Sequence, residues 1–195
     1  YSRGGNMLKE IDRYFSRHRE VLDLVAGTMA DRIAAVAAAV TDTVRSGGKV
    51  LALGNGGSAA DAEHFASELV GRFLQERRGF PAVALTTNAA ALTSIGNDYG
   101  FGDVFRRQVE ALAIPGDLVL GISTSGSSDN VVRALEAARA AGCVTVGLLG
   151  RDGGRAAEIV DLCLTVPVGE TPHIQEAHGC ILHLICLLVE REPAL

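Results

Sequence analysis

Apolar positions along this chain fall into two periods. Between residues 7 and 45 they recur at helical spacing. Leu8, Ile11 and Phe15, then Val21, Leu22, Leu24 and Val25, mark one stripe, and Ile33 opens an Ala/Val-rich second segment ending near Val44. Two helices are predicted there, and their apolar stripe needs a cover, which a second subunit would supply. Ser46-Gly47-Gly48 stops the helical pattern, and short runs that are apolar throughout take over.

Residues 49–53 (KVLAL), 82–86 (AVALT), 117–123 (DLVLGIS), 144–149 (VTVGLL) and 162–168 (LCLTVPV) read as strands. Helices are expected over 58–75, 129–140 (closed by Gly142) and 171–190, with shorter ones around 88–95 and 103–111. Strands apolar on both faces, alternating with helices, predict an α/β fold with a parallel sheet covered on both sides. The connections are then right-handed crossovers, and the result is a single domain over 7–195 with a doubly wound, Rossmann-like or flavodoxin-like five-stranded sheet. Ligands of such a sheet bind beyond the carboxyl ends of its strands.

Composition narrows the function. The chain has 195 residues, 48% of them hydrophobic and 21% charged, enough for one real core. Aromatics make up 5%, tryptophan is absent, and the net charge is −5 without a Lys/Arg block, which argues against a nucleic-acid surface. No apolar run reaches the roughly 20 residues that span a bilayer, and the start lacks a signal-peptide core. Residues 1–6 (YSRGGN), ahead of Met7, read as the remnant of an expression tag. Cys143, Cys163, Cys180 and Cys186 form no C-x-x-C pair, so reduced, buried thiols of a cytoplasmic protein are expected.

Two strand-to-helix loops are rich in small polar residues. Gly54-Asn55-Gly56-Gly57-Ser58 follows the first strand, and Ser123-Thr124-Ser125-Gly126-Ser127-Ser128 follows the third. Glycines let the backbone approach a ligand, and the next helix offers free N–H donors, so each loop suits a phosphate without needing a cation. Neither is a dinucleotide fingerprint or a Walker loop. The plainer alternative is that both are ordinary helix N-caps.

His64 and Glu68 are spaced i, i+4 and share a helix face. Gln175 and His183, eight residues apart, stand about 80° apart around the last helix and can converge on one ligand. Imidazole, carboxylate and amide oxygen can together hold a divalent cation such as Zn²⁺, and a carboxylate with an imidazole suits proton transfer beside a carbonyl. The plainer readings are a surface histidine for His64, half of an ion pair for Glu68, and an N-terminal capping pair for Gln175 and Glu176. His173 and His178 read as surface or packing histidines. His183 stands among Ile181, Leu182, Leu184 and Ile185, so it is either a satisfied core group or a site residue.

The stretches GNGGSAADAEHFASELVGRF (54–73), IGNDYGF (95–101), GISTSGSS (121–128) and IQEAHGCILH (174–183) resemble the sugar isomerase (SIS) domain family, and within it the phosphoheptose isomerases. Their order and spacing match over essentially everything from Met7 onward. The resemblance implies a homotetramer with sites between subunits. It also implies conversion of sedoheptulose 7-phosphate to D-glycero-D-manno-heptose 7-phosphate, the first step of ADP- or GDP-heptose biosynthesis toward lipopolysaccharide or another glycan. It carries over Glu68 as general base and His183 as its proton-transfer partner. It carries over His64, Glu68, Gln175 and His183 as ligands of one Zn²⁺ per subunit. Substrate binding passes to Asn55, Gly56, Gly57, Glu68, Asn97, Asp98, Ser123, Thr124, Ser125, Ser128 and Gln175. Gly179 and Ser127 depart from the usual pattern without touching any of these residues.

Two other readings compete. A non-enzymatic SIS tetramer that binds the replication initiator shares both loops but lacks the Glu and the late His, and this chain has both. A sugar-phosphate-sensing regulator would bring a DNA-binding domain, and no helix-turn-helix segment is visible.

Overall fold

The computed structural model describes residues 2–192. Its helix α1 (Ser2–Thr28) runs through the 2–6 stretch without interruption and is followed by α2 (Ala30–Arg45). Then come β1 (Val50–Gly54), α3 (Gly57–Val70), β2 (Ala82–Ala84), α4 (Ala89–Asp98), α5 (Arg106–Leu112), β3 (Leu118–Ser123), α6 (Asp129–Ala140), β4 (Val144–Gly150), α7 (Gly154–Ala157), β5 (Leu162–Val166) and α8 (Thr171–Glu190). The short α7 and a 3₁₀ turn at Phe101–Asp103 were not anticipated from the pattern.

All strands pair in parallel in the order β2-β1-β3-β4-β5, the flavodoxin-like arrangement. The chain leaves β1 for β2 on one side and returns to β3 on the other. The carboxyl ends of β1 and β3 are therefore the switch point of the sheet, and both small-residue loops begin there.

Period-two alternation builds a core on each face. Val50 and Ala52 of β1 point to the side covered by α1, α2, α3 and α8, while Leu51 and Leu53 point to the side of α4 to α7. All four are buried, which is why the strand reads as one unbroken apolar run. At the opposite end of the sheet Asp117, wholly buried, accepts from the Lys49 and Ile114 N–H groups and from Lys49 Nζ. Burial pushes its carboxyl up, but these donors outweigh it and hold the group below the usual range.

Four expectations need correction. The helix expected over 58–75 ends at Val70, because Gly71 closes it and the next segment is held by other contacts. The second strand spans three residues, and the fifth stops at Val166. The cysteines are free, but only Cys143 and Cys186 are buried; Cys180 is exposed on the outer face of α8, since helix geometry turns every face of an apolar segment in turn.

The helical stripe near the start is only partly covered. Val21, Val25, Met29 and Ile33 are buried against α8, whereas Met7, Leu8, Ile11 and Phe15 are exposed. Among the described residues no single helix is long and apolar enough to cross a membrane; α1 and α2 reach that measure only as a pair bent by 71°.

Candidate active site

The two loops meet at the switch point. Asn55 and Asn130 exchange side-chain amide hydrogen bonds, both 2.8 Å, and so tie the first loop to the start of α6. In the second loop Ser123 Oγ lies 3.2 Å from Ser128 Oγ and 3.4 Å from Ser125 Oγ, and the Gly126 N–H donates to Ser123 Oγ. Gly126 turns the chain at φ +62°, and a Cβ there would lie 1.9 Å from the Gly153 carbonyl oxygen, so only glycine fits. Asn55, Ser58, Ile122, Ser123, Thr124, Ser128 and Gln175 line a pocket of about 80 Å³ between the loops.

The simple capping alternative fails here. Ser128 occupies the N-cap of α6, yet its hydroxyl accepts no helix N–H; Gly56, at the N-cap of α3, has no side chain to offer. The hydroxyls face one another across the turn, in reach of a shared anion.

Helices α3 and α8 run side by side below this pocket. At one end of their seam Gln175 lies against Gly57, so close that a Cβ on Gly57 would meet Gln175 Nε2 at 2.4 Å. Seven residues further along α3 comes His64, close to two turns on and thus on the same face. His64 Nε2 lies 2.9 Å from Glu68 Oε1, and the His64 and His183 rings stand edge to face with centroids 5.0 Å apart. One donor atom from each of His64, Glu68 and His183 lies within 4.8 Å of the others. Those three donors are the right type and spacing to share a divalent cation. Gln175 joins the same seam nearer the loops. His183 is exposed, which removes the core-histidine alternative. It faces an open apolar depression of about 590 Å³ bordered by Phe73, Leu74, Gly179, Cys180 and Leu184.

Asn97 and Asp98 lie elsewhere in the chain, at the exposed end of α4, hydrogen-bonded to each other and outside the loop pocket.

Several residues in and around the seam escaped the sequence reading. Asp61, one turn before His64, has a buried Oδ2 with no hydrogen-bond partner. Burial raises its carboxyl above the usual range, and nearby His64 opposes that shift. Glu190 accepts from the Phe73, Leu74 and Gln75 N–H groups at 2.7, 2.7 and 3.0 Å and from Arg77 Nε at 2.9 Å. Arg77 in turn donates to the carbonyls of Glu68 and Leu69, the last turn of α3. This clamp holds Phe73 against His183, with ring centroids 5.4 Å apart, and fixes the end of α3 that bears Glu68. Burial opposes the charge on Glu190, but the four donors outweigh it and keep the carboxyl below its usual range. The only hint in the sequence was an acid ending an apolar helix.

His178 is a packing histidine, as expected: its Nε2 bonds to the Leu149 carbonyl, and burial pushes its pKa down to about 4. Behind Glu68, burial first and then the Glu68 charge push the Cys186 thiol up to about 12, so it stays protonated. His173 is buried rather than superficial, held between Tyr14 and Glu176.

Comparison with known proteins identifies the family. The SIS domain profile matches residues 13–150. A phosphoheptose isomerase of Geobacter metallireducens is 60% identical over 185 residues, covering 95% of this chain and 98% of that protein. The solved structure of phosphoheptose isomerase GmhA from Neisseria gonorrhoeae superposes with a TM-score of 0.91 at 39% identity, over 95% of this chain and 100% of that one. That of a phosphoheptose isomerase from Francisella tularensis gives 0.92 at 36% identity, over 95% and 99%.

Proposed function

The chain belongs to the SIS domain family and, within it, to the phosphoheptose isomerases, and from that premise we propose how its own residues divide the reaction. It is an aldose–ketose isomerase acting on a sugar phosphate, sedoheptulose 7-phosphate giving D-glycero-D-manno-heptose 7-phosphate. Likeness over nearly the full length of an enzyme, with Glu68 and His183 both in place, sets this above the initiator-binding alternative.

The observation that carries the division of labour is the convergence of His64, Glu68 and His183 on one seam whose far end opens into the neutral loop pocket. The phosphate binds among Ser123, Thr124, Ser125 and Ser128, where hydroxyl and N–H donors meet a dianion at the start of α6. Asn55, Gly56 and Gly57 contribute the facing wall, and Gln175 bridges pocket and seam. Asn97 and Asp98 reach substrate only if the assembled protein brings a second copy's α4 to the site. Glu68 removes the proton from the carbon beside the carbonyl and returns it to the neighbouring carbon, while His183 moves a proton between the two oxygens of the enediol.

Zinc is the cofactor we propose, one per subunit, with His64, Glu68 and His183 as donors and Gln175 as the fourth. When bound it would polarise the sugar carbonyl as a Lewis acid. A carboxylate shared with a cation is a poorer base, so Glu68 would act as base from the state in which the cation does not hold it.

A tetramer is the assembly we propose. Support comes from the exposed Met7, Leu8, Ile11 and Phe15 on α1 and from a groove of about 480 Å³ among Leu22, Val25, Ala26, Ile33, Leu184 and Leu188. A cytoplasmic location and a role in heptose supply for a surface glycan complete the proposal. The deciding experiment is incubation with sedoheptulose 7-phosphate in D₂O. We expect aldose carrying deuterium at C2, and absence of isomerisation with or without added zinc would overturn the reading.

A further inference from the structure

Away from this seam, a second set of donors converges where α1 crosses the first turns of α8. His18 Nδ1 and His173 Nδ1 lie 2.7 and 2.9 Å from the same oxygen, Glu176 Oε2. The Tyr14 hydroxyl donates to the other oxygen, Oε1, and the Tyr14 ring lies 4.5 Å from the His173 ring. One donor atom from each of His18, His173 and Glu176 lies within 4.8 Å of the others.

We propose that His18, His173 and Glu176, backed by Tyr14, form a second site for a divalent transition cation of the zinc class. Two imidazole nitrogens and a carboxylate oxygen are a donor set this class prefers, and a water or the Tyr14 oxygen can complete it. Bonds of about 2.0–2.1 Å place tetrahedral donors roughly 3.3 Å apart, so the present contacts need to open by about half an ångström. Each Nδ1 faces the Glu176 carboxylate, and coordination through Nδ1 uses the tautomer that carries its hydrogen on Nε2. The carboxylate is already oriented for this role, with Oε2 facing both imidazoles and Oε1 facing the Tyr14 hydroxyl. His173 is buried while His18 and Glu176 are partly open, so an ion has a rigid wall and a way in.

This site shares no residue with the His64, Glu68 and His183 set. Glu176 and His183 are seven residues apart on α8, which separates the two sets by about 10 Å along one helix face. An ion here would clip α1 to α8 immediately beside Gln175.

Equilibrium dialysis of the metal-stripped protein against Zn²⁺, with elemental analysis, tests the assignment independently of turnover. His64→Ala disables the seam set, and His64 is exposed enough for the fold to tolerate the change. His18→Gln disables the new site with little loss of packing. We expect two equivalents in the wild type, one in each single variant and none in the double variant. If the seam holds no zinc, the wild type binds one equivalent, which His18→Gln abolishes and His64→Ala leaves; that result keeps this site and removes the other. The proposal is overturned if His64→Ala, folded by circular dichroism, binds none, or if His18→Gln keeps the wild-type count. A Co²⁺ spectrum of His64→Ala gives a second reading: tetrahedral visible bands support the site, and their absence rejects it.

Discussion

Ser123, Ser125 and Ser128 lie within six consecutive residues, whereas His64 and His183 stand more than a hundred residues apart on two helices. The first group is a pocket of neutral donors made by one strand-to-helix turn; the second is a set of titratable groups made by the packing of α3 on α8. The pocket rests on the sheet and on a glycine that only one backbone shape allows. The seam rests on remote supports, chiefly Glu190 and Arg77, whose side chains are 1% and 11% exposed. In the proposed division of labour, binding chemistry is thus local and proton chemistry is tertiary. The two should respond differently when their supports are removed.

The largest effect is expected from Glu68→Gln. The swap keeps size and removes the proposed base, so kcat should fall by about 10²–10⁴-fold while KM changes little. Steady-state kinetics with sedoheptulose 7-phosphate checks this, and near-wild-type kcat would erase the assigned difference between seam and pocket.

Next is Glu190→Gln, which strikes the seam from a distance. It weakens four hydrogen bonds and leaves a buried guanidinium poorly paired, at a cost of about 3 kcal/mol in urea unfolding. Because Phe73 and the end of α3 loosen with it, kcat should drop while phosphate affinity holds. The sign of the pH dependence follows from the lowered pKa of Glu190. Its stabilisation is complete above the unfolded value of 4.5 and is lost as pH falls through the folded value. Asp117 adds a second loss of the same sign below 3.8. In the Glu190→Gln protein the acid limb of an unfolding titration should therefore be shallower than in the wild type.

Gly57→Ala probes the junction of the two regions. The new methyl displaces Gln175 Nε2, the far end of a flexible side chain, so the fold should survive. A KM raised about tenfold with kcat lowered less is the expected kinetic signature, worth roughly 1.4 kcal/mol. Equal losses in both would mean that Gln175 belongs to the proton-transfer group.

Ser128→Ala is the mildest change. One neutral hydrogen bond is worth about 0.5–1.5 kcal/mol, so KM should rise by about three- to tenfold with kcat and stability intact. Competition by inorganic phosphate should weaken in parallel.

The boundaries of α6 and α8 follow from the pattern of apolar positions, because a strong helical period, closed by Gly142 in the case of α6, leaves little choice. Both loops were visible too, since their chemistry is written in adjacent residues. The end of α3 was not: residues 71–75 continue the helical pattern, and Glu190, far along the chain, decides otherwise by taking their N–H groups. His183 shows the same limit. Its neighbours made core and site equally acceptable, and only the packing of α8, which turns that one position outward beside His64, resolves the choice. His18 gave no signal, and Glu176, read as a capping residue, meets His18 and His173 only because α1 lies across α8. The sequence by itself determined the period of each segment, the parallel sheet and the donor-rich turns, because those depend on interactions within a few residues. Tertiary structure alone decided which acids and histidines meet, because a contact between distant residues is set by how whole faces bury their apolar surface rather than by the residues that end up touching.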